Sequence, residues 1–321
     1  MSLTPYLKGI ATYVPGLYPH LVGLIRPGRT RGTDSARYCY SVWLRHLVMA
    51  ARQGLPTNPK TVAELGPGDS LGTGIAALLC GVDTYYAFDL VQYATNDRNL
   101  KVLDELLNLF HRRAPIPADS EFPEVLPRLV SYEFPAHILS DEQLSRSLAH
   151  ERVQSIRRAL VRLTFEPING IRVCYRVPWD NAEVIQPNSV DMVFSQAVLE
   201  HVGDLQSTYR ALFQWLKPTG YMSHTIDFRS HGISKEWNGH WSFSDLEWKL
   251  VHGRRPWLLN RQPHSIHLRL AEQNRFKIVS DVRQQDLGGL DRRHLARTFQ
   301  ALSEQDLTTS STFIQAVPAA D

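Results

Sequence analysis

The chain has 321 residues, more than the ~150 to 250 of an ordinary single α/β catalytic domain, so it holds one decorated domain or a core with additions. It is 43% hydrophobic and 21% charged, which excludes disordered, collagenous and coiled-coil chains. The net charge of +3 is too small to argue for nucleic acid on electrostatic grounds. Cys39, Cys80 and Cys174 are far apart and odd in number. They disfavour a disulfide scaffold or structural zinc site and suit a reducing, cytoplasmic compartment.

Residues 1–54 read as an N-terminal arm and a helix. Stretch 3–25 is apolar, but Pro5, Lys8, Pro15, Pro19 and His20 break up any membrane-spanning helix. It also lacks the basic start and small-residue cleavage site of a signal peptide. The arm is expected to pack on the domain or on a second copy in a homodimer; a membrane-surface contact is the other reading. Over 34–53, Tyr40, Trp43, Leu44, Leu47, Val48 and Ala51 recur at helical spacing behind Asp34 or Ser35 as cap.

Residues 55–321 form the main domain. Thr61–Leu65 is a short apolar strand, followed by a glycine-rich turn, a helix over 71–80 and a strand at Thr84–Phe88. This is a β-loop-α-β unit. A crossover needs about a dozen residues, yet residues 90–170 precede the next strand. Asn99–His111 supplies the crossover helix. The rest, with Pro115, Pro117, Pro123, Pro127 and Pro135 and a polar helix near Asp141–Leu163, reads as an inserted helical cap over 112–170. Alternation then resumes with strands Ile171–Tyr175 and Val190–Phe194, helix Leu199–Leu216, turn Lys217–Gly220 and strand Tyr221–Phe228. A tryptophan-rich loop covers 229–264. Helix Ser265–Gln273, strand Phe276–Val282, helix Arg292–Leu302 and strand Ser311–Val317 complete the chain. The pattern predicts an α/β fold: a seven-stranded, mostly parallel sheet with helices on both faces, binding ligands beyond the carboxyl ends of its strands.

The chemistry starts at the run from Val62 to Gly74, Val-Ala-Glu-Leu-Gly-Pro-Gly-Asp-Ser-Leu-Gly-Thr-Gly. Its glycines allow a ligand to approach the backbone at a helix start. The dinucleotide fingerprint would need glycines at 66, 68 and 71. Leu71 occupies the third place, so the glycine for close helix–strand packing is missing. Glu64 would crowd a pyrophosphate and suits a ligand carrying an ammonium or a sulfonium.

Here the sequence resembles the class I S-adenosylmethionine-dependent methyltransferases, whose first motif is an acid followed by alternate glycines. Glu64, Gly66 and Gly68 match, and Ser70 departs from the third glycine. Asp89 stands where the family places an acid for the ribose hydroxyls. A carboxylate accepts two hydrogen bonds side by side, although an NAD enzyme would place an acid there too. Ser189–Val202, ending in Leu-Glu-His-Val, looks like the small-molecule branch found in quinone-biosynthesis enzymes. Lys217-Pro-Thr-Gly220 resembles its Lys-Pro-Gly-Gly turn, with Thr219 as a departure. The resemblance implies a Rossmann-like fold with S-adenosylmethionine as cofactor. Its binding residues would be Glu64, Gly66, Gly68, Asp69, Ser70, Asp89, Leu90, Asp180, Asn181, Ser195 and Gln196, with Asp180 near the adenine amino group. Enzymes that methylate base amines carry Asn/Asp-Pro-Pro-aromatic after strand four, where this chain has Ser195-Gln196-Ala197-Val198. Cytosine C5 enzymes need Pro-Cys, and here Pro178 precedes Trp179. Nucleic-acid acceptors are disfavoured on both counts.

The expected activity is methyl transfer by in-line displacement to an oxygen or nitrogen of a small-molecule, glycan-like or lipid-linked acceptor. A hydroxyl acceptor needs a general base; Asp227, His231 and His201 are the candidates, with His224 placed early in its strand. No metal is expected: His224, Asp227 and His231 straddle a strand end, where side chains alternate in direction. Tyr38, Tyr40, Trp237, His240, Trp241, Arg254 and Arg261 are substrate candidates. The tryptophans form either an aromatic platform or a satellite core. The alternative functions are a non-catalytic methyltransferase-fold partner protein and an NAD(P)-dependent oxidoreductase.

Overall fold

A computed structural model describes residues 3–14, 32–164, 166–179, 181–255 and 257–319. Among them, helix α1 spans Thr4–Ala11 and α2 Ala36–Arg52. The first half of the sheet follows as β1 Thr61–Leu65, α3 Gly72–Leu79, β2 Thr84–Phe88 and α4 Asn96–His111. Helices α5 Asp141–Ser147 and α6 His150–Arg162 precede β3 Arg172–Arg176. Then come β4 Val190–Gln196, α7 Leu205–Trp215, β5 Leu216–Asp227, α8 Asp245–His252 and α9 His264–Gln273. Strand β6 Phe276–Gln285, α10 Glu304–Thr308 and β7 Thr309–Pro318 close the fold.

The sheet order is β3-β2-β1-β4-β5-β7-β6. Strands β3, β2, β1, β4 and β5 are parallel, and β7 runs antiparallel between β5 and β6. The chain reverses direction across the sheet between β1 and β4, and a crevice opens at such a switch point. Side chains alternate between two cores. Val62, Tyr85, Met192 and Phe194 face α2, α3 and α4 on one side. Ala63, Leu65, Phe88 and Val193 face α7, α9 and the tryptophans on the other. Burial on both faces explains why these strands read as continuous apolar runs rather than alternating ones.

Four expected elements differ, the first being the turn Lys217–Gly220, which lies within β5 as an irregularity in its pairing with Val190 and Met192. The single helix Asp141–Leu163 is two, because Ala149 is non-helical at ψ 138° and caps α6. The helix Arg292–Leu302 is replaced by 3₁₀ turns Arg292–His294 and Arg297–Phe299. Leu295 and Phe299 have helical spacing, but the Ala296 amide donates to the Trp241 carbonyl at 2.9 Å, which takes it out of any helix ladder. The helix Leu199–Leu216 starts with a 3₁₀ turn at Leu199–His201. Asp204 then caps α7 by accepting the Ser207 amide.

The inserted segment touches the carboxyl end of β5, where the Leu126 carbonyl accepts from Thr225 at 3.3 Å and Glu124 pairs with Arg229. It packs beside α2, α3 and α4 in the first core. Arg45, fully buried on α2, donates to the carbonyls of Pro117, Val125 and Pro127 and pairs with Asp119 at 3.0 Å. A buried guanidinium needs several such acceptors, and here they fold the proline-rich loop back onto the domain. No helix among the described residues is long and apolar enough to cross a membrane.

Candidate active site

The carboxyl ends of β1, β2, β4 and β5 open onto one cavity of about 1840 Å³. Gly66 and Gly68 in its lining hold φ +66° and +78°, left-handed values that favour glycine. A Cβ on Gly66 would lie 2.5 Å from Val198 Cγ2, and one on Gly68 2.9 Å from Thr33 Oγ1. Thr33 Oγ1 also accepts the Asp69 amide at 2.8 Å and the Ser70 amide at 3.3 Å. The Ser70 hydroxyl donates to the Thr33 carbonyl and accepts the Gly72 amide at 3.0 Å. Asp69 and Ser70 therefore shape the loop, and neither lines the cavity. Close helix–strand packing is supplied by a glycine three residues after Leu71: a Cβ on Gly74 would lie 2.0 Å from the Tyr85 ring.

Glu64, at the end of β1, is buried and lines the cavity. Burial pushes its carboxyl up to about 8, against the opposing hydrogen bonds of Tyr85 and Thr73 and the Gly74 amide. Asp89 and Leu90 line the cavity beyond β2, where Asp89 Oδ1 accepts the Leu90 amide at 2.7 Å. Asn181 and Gln196 also line it, whereas Asp180 lies outside the described residues. Trp179, 5.6 Å from the Phe88 ring and 5.3 Å from Trp215, makes an aromatic wall. Ser195 is fully buried with its hydroxyl 2.7 Å from His224 Nδ1, so it serves the sheet interior and does not reach the cavity.

His201 and His231 also line the cavity, with ring centroids 5.1 Å apart. Asn260 holds the 3₁₀ turn that carries His201: its Nδ2 donates to the carbonyls of Leu199 at 2.7 Å and Val202 at 2.9 Å. Asp227 Oδ2 lies 3.2 Å from His231 Nε2, and the Arg229 guanidinium donates to both carboxylate oxygens. Burial raises the Asp227 pKa, but His231 and Arg229 outweigh it and hold the group well below the usual carboxylate range. Of the three base candidates, Asp227 alone is outside the cavity lining, its carboxylate engaged by His231 and Arg229. His224 is buried too, and burial holds it neutral, near 3.

The substrate candidates divide sharply. Tyr38 lines the cavity. Tyr40 is buried and donates to the Ala114 carbonyl at 2.7 Å. Trp237, His240 and Trp241 are buried in a core whose rings meet at 5.6 Å and 4.9 Å. Arg261 is enclosed between the Trp248 and Phe299 rings and donates to Asp245 at 2.8 Å. Arg254 lies over the Tyr13 ring, outside the lining. These six are outside the cavity lining, because aromatic area is most stable when buried and arginine stacks on it. Of the four tryptophans in 229–264, Trp257 alone reaches the cavity among the described residues.

The roof comes from α1 and the 229–264 segment. Thr4, Pro5 and Lys8 face the cavity together with Lys235, Phe243 and Trp257. Helix α1 sits tightly on α8: a Cβ on Gly9 would fall 1.9 Å from the Leu250 carbonyl, and Tyr6 donates to Glu247 at 3.0 Å. Sequence reasoning missed Thr33, Gly74, Val198 and Glu200, and read Asn260 beside Arg261 as a candidate anion holder where its amide holds a turn. Val198 and Glu200 stand within or beside the Leu-Glu-His-Val run, so a signal was present there; nothing local marked Thr33.

Residues 179–223, from Trp179 through β4 and α7 into β5, match the family described as methyltransferase domain. No curated protein matches the sequence. Among solved structures, a putative S-adenosylmethionine-dependent methyltransferase from Listeria monocytogenes is 14% identical, covers 89% of this chain and 100% of its own, and has TM-score 0.41. A putative sarcosine dimethylglycine methyltransferase from Galdieria sulphuraria is 12% identical, with 86% and 85% coverage and TM-score 0.45. Phosphoethanolamine N-methyltransferase 2 from Haemonchus contortus is 16% identical, with 90% and 59% coverage and TM-score 0.42. Strand order, the glycine loop with its two acids, and the family match together define a class I S-adenosylmethionine-dependent methyltransferase. S-adenosylmethionine is its cofactor, and the left-handed glycine cradle and paired carboxylates Glu64 and Asp89 fit that molecule.

Proposed function

We propose that the enzyme methylates a hydroxyl oxygen of a small polar molecule. When bound, S-adenosylmethionine supplies an electrophilic methyl on a sulfonium. Glu64, Gly66, Gly68, Asp89, Asn181 and Gln196 would hold it. The cavity exceeds the about 300–1,000 Å³ typical of a single-ligand pocket, so an acceptor fits beside the cofactor. The observation that carries the oxygen assignment is the pair His201 and His231 in the cavity lining, with Asp227 and Arg229 behind His231. An amine needs no help in losing a proton, whereas a hydroxyl does. A small acceptor is favoured over a glycan-like or lipid-linked one, because three of the loop's four tryptophans are in the core. The three cysteines are free and buried, which supports a reducing, cytoplasmic compartment.

The test is incubation with methyl-labelled S-adenosylmethionine and a small-metabolite ultrafiltrate, following the label by mass spectrometry. Label on oxygen is expected, and His231→Ala should lower the rate by about 100-fold with cofactor affinity intact. Label confined to nitrogen or to macromolecules, or an undiminished rate in the variant, overturns the reading.

Glu64 gives a second test. Below pH 8 its carboxyl is mostly protonated in the ligand-free protein. A cationic ligand favours the charged form, so binding should release about one proton at pH 6.5, and affinity should rise with pH until about 8. Calorimetry in buffers of different ionisation enthalpy measures this. Glu64→Gln should abolish the release; unchanged release in that variant would remove Glu64 from the cofactor site.

A further inference from the structure

One group beside His201 has no use in the scheme above. Glu200, in the 3₁₀ turn between β4 and α7, is 2% exposed, and neither carboxylate oxygen has a hydrogen-bond partner of normal geometry. His201 Nε2 lies 3.9 Å from Oε1. A buried carboxylate without partners is costly. Protonation would remove the charge but still leave a hydroxyl and a carbonyl unpaired.

Two imidazoles converge on the same point. One ligand atom from each of Glu200, His201 and His231 lies within 4.8 Å of the others. Glu200 and His201 come from the 3₁₀ turn after β4. His231 comes from the turn after β5, at φ +48° and followed by Gly232 at +78°. We propose that Glu200, His201 and His231 bind a divalent transition-metal ion beside the cavity. Metal bonds of about 2.0–2.2 Å require the three side chains to draw together. His201 and His231, with side chains 29% and 30% exposed, have room to turn.

Three further features fit. Asp227 beside His231, itself held by Arg229, is the carboxylate partner that orients a metal-bound imidazole. Two imidazole nitrogens and one carboxylate oxygen favour zinc, manganese or iron over magnesium or calcium, which prefer oxygen ligands throughout. Both histidines border the cavity while Glu200 is behind them, so the remaining coordination positions face the acceptor space. Catalytic metal sites keep such an open position. Resting on the hydroxyl reading above, the ion would ionise the acceptor oxygen by lowering its pKa. The binding itself does not depend on that reading.

The test uses full-length untagged protein, stripped with chelator and dialysed. Zinc, manganese and magnesium chlorides are titrated separately by calorimetry, without cofactor. One zinc or manganese ion per chain is expected, with magnesium much weaker. Binding should weaken by about 100-fold or more in Glu200→Gln, the upper end of what losing even an outer-sphere partner costs. Because Glu200 is buried, His201→Asn is the second variant, and thermal melts report whether each is folded. No saturable stoichiometric binding of zinc or manganese overturns the proposal. So does binding unchanged in both folded variants, or magnesium binding as tightly. S-adenosylmethionine affinity is measured on the same metal-free samples. Cofactor binding without metal binding sinks this inference alone, and metal binding without cofactor binding sinks the methyl-transfer reading alone.

Discussion

Gly66→Ala is expected to weaken S-adenosylmethionine binding by on the order of 100-fold while the protein stays folded. Two separate costs combine. A non-glycine residue in the left-handed region costs ~1–2 kcal/mol, and Gly66 sits at φ +66°. The added Cβ would also be 2.5 Å from the Val198 side chain; relieving such overpacking costs ~1–3 kcal/mol. At about 1.4 kcal/mol per factor of ten, the sum spans roughly thirty-fold to several thousand-fold. Relief of the clash moves either the loop or Val198, and both border the cavity. The components can be separated. Val198→Ala in the same chain removes the collision and leaves the backbone strain, so the double variant should recover about ten-fold. Calorimetry with S-adenosylhomocysteine and a thermal melt suffice. Full affinity in Gly66→Ala would show that this loop does not carry the cofactor.

The second large effect is on stability against acid. His46, His224 and His267 are buried, and burial holds each near 3, well below the usual histidine range. His46 Nδ1 is 2.7 Å from Ser223 Oγ, and His224 Nδ1 meets Ser195 Oγ, so the neutral rings are part of the sheet interior. Folded pKa values below the unfolded ~6.5 contribute stability that is complete above pH 6.5 and lost as the pH falls. Near pH 5.5 unfolding should take up about three protons through these residues. Glu64 works in the opposite direction. Its folded value near 8 exceeds the unfolded carboxyl, so its contribution is complete below the unfolded value and declines as pH rises through 8. Unfolding at pH 5.5 therefore has a net uptake of about two from these four groups. Stability should peak near neutral pH, falling steeply on the acid side and gently on the alkaline side. Urea denaturation across pH 5 to 9 measures this; a flat or rising profile toward pH 5 would mean the histidines are not buried neutral.

Gly66 and the buried histidines also mark the reach of sequence reasoning. The parallel strands were legible because burial on both faces demands apolar runs, and Thr61–Leu65, Thr84–Phe88 and Val190–Gln196 have them. Glu64, Gly66, Gly68 and Asp89 were legible because a ligand at a strand–helix turn needs short-range chemistry in fixed order. The tryptophans and arginines of 229–264 carry no such order. An aromatic–arginine cluster has the same composition whether it binds a ligand or fills a core, and here Trp241, Arg261 and Phe299 fill a core.

Local chemistry in the chain thus pointed to the sheet, and to a glycine loop and strand-end acids that line one cavity. Tertiary structure alone decided three further matters: that the 112–170 insertion packs on a helical layer, that α1 roofs the cavity, and that Glu200, His201 and His231 converge. The reason is separation along the chain. Arg45 reaches Pro117, Val125 and Pro127, and Tyr6 reaches Glu247. His231 meets a turn formed some thirty residues earlier, across neighbouring strands β4 and β5. Contacts of that span depend on how layers pack, and no periodicity within a segment encodes them.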